Sequence, residues 1–101
     1  MAQLVVLYKT PKDAAAFDRH YFETHVPLAK KIRGLRKYEV SQGPVVTPAG
    51  PSGVHLVATL QFDDMAAIQR AFASPEGQAA AIDVQQNLGL ADMLVFDARE
   101  V

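Results

Sequence analysis

The order in which strand-like and helix-like periods succeed one another is the strongest constraint this chain carries: strand, helix, strand, strand, helix, strand. The first element is the unbroken apolar run Leu4-Val5-Val6-Leu7-Tyr8. Its lack of alternation predicts a central strand covered on both faces. Thr10-Pro11-Lys12-Asp13 ends it, with Asp13 suited to cap the helix that follows. From Ala14 the period becomes helical, and Phe17, Tyr21, His25 and Leu28 share one stripe. Pro27 interrupts that stripe. It has no N–H for the Glu23 carbonyl and disfavours helix at Val26, which predicts a kink or break near His25, a short second turn over Leu28 to Ile32, and a stop near Gly34.

Leu35 to Ser41 alternates, with Leu35, Lys37 and Glu39 on one side and Arg36, Tyr38 and Val40 on the other, as an edge strand would. Gly43 to Gly53 is punctuated by Gly and Pro and predicts a long mobile loop, either a lid over a pocket or an ordinary hairpin connection. Val54 to Phe62 alternates clearly. Val54, Leu56, Ala58, Leu60 and Phe62 are expected against the helices, with His55 and Val57 on the opposite face. Asp63 is the expected cap of a helix placing Met65, Ile68 and Phe72 in the core. Ser74-Pro75 restarts a helix whose core positions are expected to be Ala79, Ile82 and Leu88, and Met93 to Phe96 is the last strand.

This order is the split βαβ pattern. It predicts a single α+β domain over residues 1–101 of ferredoxin-like topology, a four-stranded antiparallel sheet with both helices on one face. The other face has no cover within the chain, and Val57 with Val5 or Val6 would lie on it. Two such faces packed together would make a homodimer of the dimeric α+β barrel kind. Hydrophobic residues make up 50% of the chain and charged ones 21%, a globular composition. The net charge of −1 and the absence of interleaved basic and aromatic residues argue against nucleic-acid binding. Lys30-Lys31-Ile32-Arg33 reads as a solvated helix end, with a phosphate-binding patch as the alternative. Cysteine is absent, so disulfides, thiolate nucleophiles and cysteine metal sites are excluded. No apolar stretch is long enough to span a bilayer and no signal-peptide pattern opens the chain, so a cytoplasmic protein without membrane association is expected. No phosphate loop, dinucleotide fingerprint or nucleophile elbow occurs, and the three histidines lack metal-ligand spacing; no cofactor and no metal are expected.

Tyr21-x-x-x-His25-x-Pro27-Leu28, preceded by Phe17 and followed by Gly34-Leu35-x-x-Tyr38, resembles the signature of the EthD family. Phe62-Asp63-Asp64, Ser74-Pro75-Glu76-Gly77 and Asp83 resemble its second half. Arg33 departs from the pattern, standing where relatives often carry proline. The resemblance implies the dimeric α+β barrel fold, shared with muconolactone-type isomerases, polyketide cyclases and cofactor-free monooxygenases, and small enzymes acting on hydrophobic or aromatic metabolites.

His25 is the first candidate for chemistry. An imidazole on the inward stripe beside the proline break can act as general acid or base near neutral pH, or can simply cap the broken helix. Tyr21, one turn earlier, could donate its phenol to a ligand oxygen or serve as a core aromatic. Tyr38, Tyr8, Phe17 and Asp83 are candidate ligand contacts. Asp83 either orients His25 or is an exposed helix acid. His55 is expected towards the dimer face, and His20 to the side of the Phe17 stripe. The expected function is a cofactor-independent enzyme or enzyme-like protein for a small hydrophobic carbonyl or hydroxyl metabolite, an isomerase, cyclase or monooxygenase-like activity with His25 moving the proton. The alternative is a non-catalytic accessory that binds a metabolite or a partner enzyme in a degradation pathway.

Overall fold

In the computed structural model, which describes residues 1–101, the first apolar run forms β1 (Ala2–Lys9) and the later strand-like segments form β2 (Lys37–Val40), β5 (Val54–Phe62) and β6 (Ala91–Asp97). These four make one antiparallel sheet in the order β2-β5-β1-β6. Helices α1 (Ala14–His20), α2 (Val26–Lys30), α3 (Met65–Ala73) and α4 (Pro75–Asn87) cover one face, giving the ferredoxin-like fold that the order of periods implied. β2 is an edge strand, and it begins at Lys37 rather than Leu35. Between β2 and β5 the expected loop contains a small hairpin, β3 (Val46–Thr47) paired with β4 (Gly50–Pro51). No helix is long and apolar enough to cross a membrane.

Cross-strand partners share a face, so the register fixes the inner layer. Leu4 lies opposite Leu60, Val6 opposite Ala58, and Tyr8 opposite Leu56; Tyr38 and Val40 of β2 continue the same face. These residues pack with Phe17, Tyr21, Phe62 and Ile68 in one core. Each large side chain fully withdrawn there contributes about 1.5–3 kcal/mol. Val6 is 4% exposed on this inner face, so the outer face is formed by Val5, Leu7 and Val57 instead. Leu94 and Phe96 of β6 stand beside Val5 and Gln3 and remain exposed.

Where the first helix was expected to break, it widens. Tyr21–His25 forms a π turn in which the Val26 N–H donates to the Tyr21 carbonyl, and α2 continues from Val26 through Pro27. The i→i+5 bond absorbs one extra residue, and the proline, having no N–H to place, follows it without ending the helix. The stripe therefore runs Phe17, Tyr21, His25 and Ala29, with Leu28 only half-buried.

The second helical pair also differs in detail. Asp64, not Asp63, caps α3, accepting from the Ala67 N–H at 2.8 Å. Asp63 instead takes a two-pronged bond from Arg36, with both N···O distances 2.9 Å. Phe72 is 40% exposed and Ile82 50%, and Ala79 is exposed as well. The buried face of α4 is Gly77, Ala80, Asp83 and Val84, with Leu88 closing it. Ser74 caps α4 by accepting from the Gly77 N–H at 3.1 Å, which sets the phase of the helix. Gly77 then lies against the end of α3: a Cβ built on it would stand 1.8 Å from the Ala71 carbonyl oxygen. That close approach selects the face carrying Asp83 and turns Ile82, one residue earlier, outward.

Candidate functional site

His25 is 5% exposed, and its Nδ1 lies 2.8 Å from Asp83 Oδ2. The other carboxylate oxygen of Asp83, Oδ1, lies 2.8 Å from His20 Nε2 and accepts from Asn87 Nδ2 at 2.8 Å. One carboxylate thus joins the first helical segment to α4 through two imidazoles. The π turn explains how. In an α-helix, residues five apart point about 140° away from each other. The wider turn brings His20 and His25 round to the same acceptor.

Burial would raise the pKa of Asp83, but the donors from Asn87, His20 and His25 outweigh it and hold the carboxyl below its usual range. Asp83 is therefore an ionised, accept-only partner, and His25 donates its Nδ1–H to it. Burial also lowers the pKa of His25, and the neighbouring carboxylate offsets only part of that effect. His25 is accordingly a neutral imidazole at pH 7, with its lone pair on Nε2, an atom without a protein partner.

Below pH about 6.5 an unfolded chain takes up a proton at this histidine before the native protein does, so native stability falls as the pH drops from there towards the lower native pKa. Asp83, held low when folded, adds to acid sensitivity only below the usual carboxylate range. The expected result is a melting temperature that declines from pH 7 to pH 5.5, by up to about 1.4 kcal/mol of stability per pH unit for one proton. Thermal melts of His25→Phe should show a shallower decline across the same interval.

His25 lines a cavity between helices and sheet of about 50 Å³. Tyr8, Tyr21 and Tyr38 line it together with small and aliphatic residues, among them Ala58, Ala80 and Met93. Tyr21 Oη and Tyr38 Oη are 2.6 Å apart. Tyr21 lies 5.2 Å from His25, ring centre to ring centre, and Tyr8 meets it edge-on at 5.4 Å. Burial raises the pKa of all three phenols, so they are neutral donors.

The sequence candidates thus divide. Tyr8, Tyr21, His25 and Tyr38 meet at the cavity wall. Phe17 stands behind that wall, stacked on Tyr21 at 5.9 Å, and Asp83 stands behind His25. His55 does not lie on the outer face. It falls where the β1–β5 register shifts between Tyr8 and Lys9, and the irregularity turns it towards the helices. There its Nε2 is 2.7 Å from Asp18 Oδ1 and its ring meets Phe17. His20 and Asn87 were not singled out as partners of Asp83. The spacing of four from Asp83 to Asn87 was a readable sign; the spacing of five from His20 to His25 becomes one only once the π turn is known. No group of three or more His, Cys, Asp or Glu side chains is arranged to hold a metal ion.

A model of the EthD domain matches residues 9–88. A crystal structure of an EthD family protein from Bacillus halodurans superposes with a TM-score of 0.90 at 37% identity, covering 98% of this chain and 99% of that one. An 11.0 kDa protein of the thcB–thcC intergenic region of Rhodococcus erythropolis is 38% identical over 84 residues, 83% of this chain and 81% of that protein. SnoaB, a cofactor-independent oxygenase from Streptomyces nogalater, shares the fold with a TM-score of 0.71 at 18% identity, over 99% of this chain and 94% of that one.

Proposed function

The chain belongs to the EthD family, and from that premise we propose that it is a small acid–base enzyme, or enzyme-like protein, for a small apolar molecule bearing a carbonyl or hydroxyl oxygen. The observation that carries this reading is the His25–Asp83 pair at 2.8 Å on the wall of an apolar cavity. Asp83 holds the imidazole in one tautomer and stabilises the imidazolium formed when Nε2 takes a proton. Tyr21 and Tyr38 orient the ligand oxygen. Proton removal next to a carbonyl or from a hydroxyl serves isomerisation, cyclisation and cofactor-free oxygenation alike, and the fold is shared with an oxygenase that works without a cofactor.

The test is turnover of lactones, enones and hydroquinones by the wild type and by His25→Ala. The variant is expected to lose about a hundredfold or more in kcat for whichever compound the wild type converts. Equal turnover removes His25 from the mechanism. Stoichiometric binding without conversion assigns the protein to the accessory class instead.

The active form is proposed to be a homodimer. Val5, Val57, Leu94 and Phe96 place apolar surface on the sheet face that no helix covers, and Leu94 is 53% and Phe96 42% exposed. Sedimentation at micromolar concentration should give twice the 11.0 kDa chain mass, and Leu94→Asp should shift it to the single chain. A wild-type monomer would refute the pairing.

A further inference from the structure

We propose that His20 is a positioning residue for proton transfer at His25, acting through the carboxylate the two share. Asp83 balances a single imidazolium, so His25 accepts a proton from a ligand only while His20 is neutral. The proposal rests on the acid–base reading of His25 and adds to that site a second imidazole and a condition on its charge.

One anion stands between two bases. Asp83 Oδ2 faces His25 Nδ1 and Asp83 Oδ1 faces His20 Nε2, both at 2.8 Å. No lysine or arginine pairs with this carboxylate; its ionic partners are the two histidines. The rings differ in access. The His25 side chain is 6% exposed and the His20 side chain 29%. His20 opens on a surface cleft beside Thr10, Asn87 and Leu88, whereas His25 faces the inner cavity. The ring nearer water is the easier of the two to charge.

Asp83 does not need His20 as a donor. Asn87, one turn along α4, already donates to Oδ1 at 2.8 Å. The chain nevertheless brings His20 to the same oxygen through the π turn over Tyr21–His25, a rare form of helix. A second imidazole on an oxygen that already has its donor is placed to act through charge.

With His20 neutral, the three groups carry one negative charge, and proton uptake at His25 cancels it. With His20 charged they start neutral, and uptake leaves a buried cation with no carboxylate of its own. His20 is accordingly among the influences that lower the pKa of His25. The other ionisable groups around the cleft are Lys9, Lys12 and Asp13. Lys9 is held by Asp92 at 3.2 Å and Asp13 caps α1 through the Ala16 N–H, so cations and carboxylates there are equal in number. Arg19 and Glu23, near His20 in the chain, are exposed. On the cavity side His25 meets the neutral phenols of Tyr8, Tyr21 and Tyr38.

In the step itself the ligand's O–H or C–H bond breaks, an Nε2–H bond forms on His25, and the electron pair stays with the ligand. The Nδ1–H of His25 and the Nε2–H of His20 keep donating to Asp83. His20 moves no proton; its charge sets how readily His25 takes one.

Nitrogen-15 NMR of the histidine rings across a pH titration of the whole chain tests this without a ligand. His20→Gln and His20→Arg both put an N–H on Asp83 Oδ1, and they differ in charge. The pH at which His25 is half-protonated should be about one unit higher in His20→Gln than in His20→Arg. Equal midpoints overturn the proposal, because a merely structural donor acts alike in both. If either variant fails to fold, the wild type decides: the His20 and His25 signals should each bend where the other ring takes up its proton. Two independent single-step curves overturn the proposal. For any compound the wild type converts, kcat should be about three- to tenfold lower in His20→Arg than in His20→Gln, with KM little changed. The two readings fail separately. Equal midpoints remove His20 and leave His25 as the base, whereas separated midpoints with undiminished turnover in His25→Ala show the shared charge and refute the acid–base reading.

Discussion

Replacing Asp83 by leucine should lower stability by about 3–5 kcal/mol, even though leucine matches the space and the side chain is only 7% exposed. The carboxylate is the sole protein acceptor for His25 Nδ1 and serves His20 and Asn87 as well. His20 and Asn87 reach solvent and can turn to water. His25 is enclosed, so its Nδ1–H is stranded next to a hydrocarbon. At about 4–8 °C per kcal/mol for a domain of this size, the melting temperature should fall by about 12–40 °C. Asp83→Asn keeps the volume and one accepting oxygen, and should cost about half as much while altering the tautomer of His25. Melting curves of the two variants at pH 7 separate the hydrogen-bond cost from the packing cost. An Asp83→Leu variant as stable as wild type would show that the network does not hold α4 to the first helical segment.

The second large effect is expected at Gly77. A methyl group there would stand 1.8 Å from the Ala71 carbonyl oxygen and 2.8 Å from its carbon, both parts of the backbone where α3 ends. Neither can rotate aside, so Gly77→Ala must push α4 away from α3. The cost is about 3 kcal/mol or more, at the upper end of overpacking effects. The displacement also moves Asp83 and Ala80 on the same helix. Melting should shift down by about 12–24 °C, with loss of cavity binding in the fraction that remains folded. Gly77→Ser should be no better, because the clash arises at Cβ. A Gly77→Ala protein with wild-type melting would mean that the two helices can separate freely.

Both effects act on features that local pattern could not reveal. Ile82 was the apolar candidate for the core in α4, and Asp83 could be read as a solvated acid. The contact between Gly77 and Ala71 sets the rotation of the helix and reverses that assignment. Likewise, Pro27 announced a disturbance near His25. Whether the helix would break or widen depended on Tyr21 and Phe17 having the sheet to pack against on one side and His25 having Asp83 on the other.

The sequence by itself determined the order of elements, the antiparallel ferredoxin-like sheet, the caps at Asp13 and Ser74, and the inward stripe of Phe17, Tyr21 and His25. Those features follow from periodicity, proline and capping chemistry, which act within a few residues. Tertiary structure alone decided that His20 and His25 would share one carboxylate, that Asn87 would join them, and that Tyr38 would reach Tyr21 across 17 positions of chain. Those distances depend on how far each helix is rotated and how the strands are registered. Both are settled by packing between segments remote in sequence, where a shift of one residue moves a side chain to another face.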